Sequence, residues 1–219
     1  MSTFMGYDAW INSRFGVIMT AMNNIFGNNF LHGKTMLELG AGYGDFGYKF
    51  YEIGMDITCI EGRIENLTIL KQKYPFFTSK LGDMDKELIE KHYNVILHAG
   101  LLYHMKNIVQ NLENCLQNCD IFILETENID SDDDSDSILM IYENASIECL
   151  ASSLMNSDCT NYSSRTTRKF LENIFDKHNF KFILLDSHLA NNMGYVYDWK
   201  VTNSKSTNLL RSIYIAYKI

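Results

Sequence analysis

Three carboxylates stand at successive points where an apolar run gives way to a turn: Glu38 in MLELG, Glu61 in TCIEGR and Asp83 in LGDMD. Glu38 heads ELGAGYGDFG at residues 38–47, where Gly40, Gly42, Gly44 and Gly47 fall close together. Glycines after a strand let the backbone turn tightly and come close to a ligand. Gly42-x-Gly44-x-x-Gly47 satisfies the dinucleotide fingerprint, a weak signal standing alone. Glu38 argues against a pyrophosphate in that place. At ~4 Å and an effective dielectric of about 20, each like-charge pair costs roughly 4 kcal/mol. A ligand offering a cationic amine or a sulfonium would be attracted instead. Glu61, about twenty residues further on, stands where a carboxylate can accept both hydroxyls of a ribose. Asp83 could accept an adenine amino group, with Asp85 the second choice. The plain alternative for each acid is capping the helix that follows.

A second group of reactive side chains follows in HAGLLYHMKN, residues 98–107. His104 and His98 are candidate general bases, because an imidazole near pKa 6.5 takes up protons at neutral pH. Tyr103 could place an acceptor. Packing is the competing role for all three. Glu125 and Glu127 in LETEN end another apolar run and could bind a cationic or hydroxylated molecule, or cap a loop. DSDDDSD at 130–136 lacks the sixth-position glycine and closing glutamate of a calcium loop, so it reads as a solvated acidic stretch. Tyr195, Tyr197 and Trp199 alternate on one face of a strand-like arm. Arg165, Arg168 and Lys169 form a small basic cluster that reads as solvated surface.

Periodicity supplies the elements that would hold these groups. Residues 7–26 carry apolar positions at helical spacing, predicting one or two leading helices within residues 1–30. Strands are expected at 35–39, 56–60, 76–81, 93–98 and 120–125, with helices at 46–53, 64–73, 85–91 and 106–117 between them. A helix at 166–178 and closing strands at 180–186 and 212–218 follow, after a polar, irregular insertion at 128–164 that could serve as a lid. Alternating strands and helices predict a doubly wound, mostly parallel α/β sheet with an antiparallel closing strand.

The 219 residues, 46% hydrophobic, suit one domain with a full core. A net charge of −8 disfavours a protein built to grip phosphate backbones. The five cysteines contain no CxxC pair, which predicts reduced, mostly buried thiols and no metal site. With no leader-like segment and no apolar run of the ~20 residues that span a bilayer, the chain reads as a cytoplasmic protein, monomer or homodimer.

On ELGAGYGDFG, IEGR, GD at 82–83 and HAGLLYHMKN, the sequence resembles the class I S-adenosylmethionine-dependent methyltransferases over roughly residues 34–126. The GLLYH and ETEN segments look similar to uncharacterised bacterial and phage-type members. The resemblance implies a seven-stranded Rossmann-like sheet, S-adenosylmethionine as cofactor and S-adenosylhomocysteine as product. It implies that Glu38 faces the methionine amine, and that Gly40, Gly42, Tyr43 and Gly44 form the loop against the cofactor. Glu61 with Gly62 would hold the ribose, Asp83 and Met84 the adenine, and His98, Ala99 and Gly100 would lie under the methionine. The expected acceptor is a small-molecule or sugar-like hydroxyl or amine. RNA or protein as acceptor, a cofactor-binding module without turnover, and a nicotinamide oxidoreductase are the competing functions.

Overall fold

Among the described residues nine strands, most of them apolar and separated by helices, assemble into one sheet. The computed structural model describes residues 7–129, 136–142, 162–185 and 210–218. Within them, helix α1 (Tyr7–Phe26) precedes β1 (Thr35–Leu39), α2 (Asp45–Glu52), β2 (Asp56–Glu61), α3 (Ile64–Lys73) and β3 (Thr78–Leu81). Strand β4 (Tyr93–Ala99), a 3-10 turn (Leu102–His104), α4 (Ile108–Gln117) and β5 (Cys119–Asn128) follow. The remainder is β6 (Ile138–Tyr142), β7 (Tyr162–Thr166), α5 (Arg168–Lys177), β8 (Phe180–Leu184) and β9 (Leu210–Lys218).

Strands β3-β2-β1-β4-β5 run parallel, β9 lies antiparallel beside β5, and β8 lies antiparallel beside β9. These seven form the mostly parallel sheet expected from the sequence. Val95, Ile96 and Leu97 of β4 are fully buried, because helices cover both faces. Met36, Ile57, Leu97 and Ile123 pack toward α1, α2 and α3, whereas Leu37, Ile96, Phe122 and Leu124 pack toward α4 and α5. The strand order reverses at β1, which has β2 on one side and β4 on the other. Ligands of open α/β sheets bind outside the carboxyl ends of the strands at such a point.

Three expectations differ from the structure. Residues 85–91 form a turn and an irregular segment, not a helix. Asp83 and Asp85 draw the backbone into hydrogen bonds that compete with helix formation. The fourth helix starts at Ile108, after the 3-10 turn. The insertion contributes an antiparallel pair of strands, β6 with β7, that joins the sheet where Asn128 pairs with Thr166. Short polar strands such as YSSRT lack the apolar alternation by which a strand is read from sequence. The arm with Tyr195, Tyr197 and Trp199, and most of DSDDDSD, lie outside the described residues.

Candidate active site

The glycine loop joins β1 to α2 with Gly40, Gly42 and Gly44 all at positive φ (67°, 56° and 81°). That conformation costs glycine little and any residue with a Cβ considerably more. Gly40 N and Ala41 N donate to Ile60 O at 2.9 and 3.2 Å, tying the loop to the end of β2. Glu61 completes the tie. Its Oε2 accepts from Gly42 N at 2.7 Å, and its Oε1 accepts from Arg63 N at 2.9 Å and Asn66 Nδ2 at 3.3 Å. Glu61 is buried, Gly62 is half-buried beside it, and Tyr43 stands exposed on the loop.

Glu38 lies beneath the first turn of α2, with Oε2 accepting from Gly47 N at 3.1 Å and from the Cys59 thiol at 3.7 Å. Burial pushes its carboxyl up to about 8, against the smaller opposing pull of the Cys59 and Gly47 hydrogen bonds. At neutral pH the group is chiefly protonated, so burial quenches much of the charge that the sequence assigns to the crevice. The geometry also accounts for Gly47. A Cβ there would sit 2.4 Å from Glu38 Oε2, which makes this glycine a requirement of the acid beneath it.

Asp83 organises the turn after β3. Its Oδ1 accepts from Asp85 N at 3.1 Å, and Lys86 Nζ lies 3.1 Å from its Oδ2. Asp85 reaches the other way, Oδ1 accepting from Lys106 N and Asn107 N at 2.9 Å each. The turn with Met84 is thereby fastened to the segment after β4. Asn111 of α4 adds a second fastening, since its Nδ2 donates to Met84 O at 3.1 Å while its Oδ1 faces His98 Nε2 at 3.1 Å. His98 is fully buried on the α4 side, and burial holds its imidazole down to about 4. The neutral ring therefore donates from Nε2 to Asn111, since an amide oxygen only accepts. Ala99 and Gly100, both half-buried, close β4 beside the switch point.

Beyond Gly100 lies a feature with little trace in the sequence. Arg14 of α1, Glu125 and Glu127 of β5, Arg165 of β7 and Arg211 of β9 form one chain of alternating charge. Arg14 Nη2 and Arg211 Nη1 donate to Glu125 Oε1 at 3.2 and 3.0 Å. Arg211 Nη2 donates to Glu127 Oε1 at 2.8 Å, and Arg165 Nη2 is 2.5 Å from Glu127 Oε2. Tyr103, buried, accepts from Arg211 Nη2 at 3.1 Å and has the guanidiniums of Arg165 and Arg211 over its ring, 5.0 and 5.1 Å from its centroid. Burial pushes its phenol up to about 12. Burial also opposes ionisation of Glu125, yet Arg211 and Arg14 hold its carboxyl below the usual range. His104, half-buried, packs its ring against Tyr103 at 4.3 Å.

The structure thus ties the Gly40–Gly42 loop to the end of β2 at Ile60 and Glu61, sets Asp83 and Met84 just after β3, and packs His104 against Tyr103 beyond Gly100 at the end of β4. His98 sits behind the sheet. The sequence reading missed Arg14 and Arg211 and took Arg165 for surface, although Arg165 is 4% exposed. Arg14 left a signal, an arginine on the apolar stripe Ile11, Ile18 and Met22 of α1. Arg211 left none. No group of His, Cys, Asp or Glu among the described residues could hold a metal ion. Nor is any helix among them long and apolar enough to cross a membrane.

No protein-family model matches the chain, and no curated protein matches it. Solved structures do. The N-terminal domain of EvdMO1 with S-adenosylhomocysteine bound superposes with a TM-score of 0.63 at 16% identity, covering 97% of this chain and 81% of that one. Magnesium protoporphyrin IX methyltransferase from Synechocystis PCC 6803, also with S-adenosylhomocysteine, gives 0.61 at 12% identity over 100% and 89%. An S-adenosylmethionine dependent methyltransferase from Mesorhizobium loti gives 0.62 at 12% identity over 94% and 100%. At such identities the likeness establishes the fold, which is the Rossmann-like methyltransferase fold.

Proposed function

We propose that the chain is an S-adenosylmethionine-dependent methyltransferase acting on a small molecule through a hydroxyl or amine. The observation that carries this reading is the glycine loop at the carboxyl end of β1, tied to Glu61 at the end of β2 where the strand order reverses, with the Asp83–Met84 turn next along after β3. The fold shared with proteins solved with S-adenosylmethionine or S-adenosylhomocysteine supports it.

The residues present fit that cofactor. Gly40 and Gly42 offer bare backbone at positive φ, and Glu61, accepting from Gly42, Arg63 and Asn66, keeps a lone-pair site on Oε2 for a ribose hydroxyl. Asp83 and the Met84 backbone stand at the adenine end. Glu38 underlies the loop, where a nearby cationic amine would draw its proton off. The bound cofactor supplies a methyl group already activated by the sulfonium, so the chain's task is alignment and exclusion of water. Ala99 and Gly100 form the floor on which the acceptor meets that methyl. Tyr103 orients the acceptor. His104, its ring against Tyr103, is the candidate to take up the proton that leaves the site once the methyl has been transferred. His98 is given a different role from the one its sequence position suggests. Through Asn111 it holds Met84 O, and so positions the adenine-reading turn.

Calorimetric titration with S-adenosylhomocysteine and, separately, NADH tests the reading. S-adenosylhomocysteine should bind, and Glu61→Ala should weaken it by about tenfold or more, roughly 1.4 kcal/mol or above. A preference for NADH, or no binding of either, would overturn it.

A further inference from the structure

Glu125 is the most deeply buried acid of the charged chain, and only half of its carboxylate is used. Oε1 takes both guanidinium bonds, from Arg14 and Arg211. Oε2 is buried and accepts from no donor among the described residues. A buried carboxylate oxygen left without a donor is costly, so such a group calls for an explanation in the function of the site.

Its surroundings supply one. A Cβ built on Gly100 would come 3.8 Å from Glu125 Oε2 and 3.7 Å from Tyr103 Oη. Two polar atoms therefore converge over bare backbone at the end of β4, on the floor assigned above to the acceptor. Their hydrogen-bonding characters are complementary. Glu125 Oε2 is an ionised acceptor. Tyr103 Oη already receives Arg211 Nη2, which leaves its own proton to donate.

Resting on the methyltransferase reading, we infer that this cradle receives the acceptor as a neutral hydroxyl, which donates to Glu125 Oε2 and accepts from Tyr103 Oη. A carboxylate has no proton to give Glu125. An ether lacks one as well. An ammonium has no lone pair for Tyr103 and would enter a site ringed by Arg14, Arg165 and Arg211. Glu125 is thus a specificity-determining residue, and Arg211 positions both members of the cradle.

Ligand-observed saturation-transfer NMR on the protein saturated with S-adenosylhomocysteine tests this with matched probes: phenol against anisole, cyclohexanol against methoxycyclohexane, and benzoate. The hydroxyl member of each pair should give at least about threefold the transfer of its ether, and benzoate should give less than phenol. In Glu125→Gln the amide oxygen stays with the guanidiniums, which only donate, so its NH2 replaces Oε2. The preference should then fall to parity or reverse toward the ether. Tyr103→Phe removes a donor that hydroxyl and ether use alike, so it should lower the transfer to both and leave the preference in place, a check that stands if Glu125→Gln folds poorly. Ether or benzoate signals equal to those of the hydroxyls, or hydroxyl signals undiminished in Tyr103→Phe, overturn the inference. Failure of the wild-type protein to bind S-adenosylhomocysteine strikes the reading beneath it instead.

Discussion

Replacing Gly47 with alanine places a methyl group 2.4 Å from Glu38 Oε2 and 3.2 Å from Ile57 Cγ2. Neither neighbour has room to yield, because Glu38 and Ile57 are both buried between β1, β2 and α2. Glu38 must then rotate away from the Gly47 amide, leaving a buried donor and a buried carboxyl short of partners at about 1–3 kcal/mol. Crowding against Ile57 adds ~1–3 kcal/mol. The intrinsic preference of a helix for alanine over glycine offsets up to about 1 kcal/mol. Together these give a net loss of roughly 1–6 kcal/mol. At ~2–4 °C per kcal/mol for a chain of this size, Tm should fall by about 2–24 °C. Urea denaturation of wild type, Gly47→Ala, Glu38→Ala and the double variant closes a cycle in which Glu38→Ala makes room for the methyl. The double variant should therefore be more stable than the sum of the single losses by at least ~1 kcal/mol. Full stability in Gly47→Ala, or an additive cycle, would refute the account of why a glycine stands there.

Stability should also depend on pH in a way that separates two buried groups. Glu38, pushed from 4.5 to about 8, binds more protons folded than unfolded, so its contribution is complete below about 4.5 and is lost as pH rises to 8. His98, lowered from 6.5 to about 4, binds fewer, so its contribution is complete above 6.5 and is lost as pH falls toward 4. The two slopes oppose each other between about 4.5 and 6.5, and from there to 8 the decline belongs to Glu38. Urea midpoints at pH 6.5 and 8 should differ for wild type and coincide for Glu38→Gln; a decline of equal size in the variant would assign it elsewhere. Arg14→Met leaves Glu125 with one of its two guanidiniums, and breaking such a buried pair costs about 3–5 kcal/mol. Thermal unfolding measures that loss, and a variant as stable as wild type would show that Arg211 alone satisfies Glu125.

The sheet was legible because its strands are buried on both faces. TMLEL, YNVILH and DIFILE are runs whose only reasonable place is the middle of a parallel sheet, and the observed strands match them within a few residues. The glycine loop was legible because positive φ selects glycine. What stayed hidden rests on long-range partnership. Nothing around Arg211 announces that it will meet Glu125 and Glu127, since the pairing comes from β9 lying beside β5. His98 looked available because its position in sequence is that of a strand end. The pleat alternates sides, and its side chain points to the α4 layer while Ala99 points the other way. Asp83 and Asp85 looked like helix formers or ligands, and their bonds to nearby backbone made a turn instead.

Strand β9 sets an order on how the molecule can be assembled. It fills the gap between β5 and β8 and delivers Arg211, yet it comes more than eighty residues after β5 in the chain. Contacts so far apart in sequence form slowly, because the intervening loop must be closed before they return any energy. Until they form, β5 keeps an open edge, and Glu127 lacks its cross-strand guanidinium while Glu125 has Arg14 alone among the two that share its Oε1. A nascent chain at that stage carries the charge pattern of an unfinished site along an unpaired strand. Those carboxylates disfavour pairing with a second chain's edge, so the residues later gathered around the crevice protect the sheet before the crevice exists.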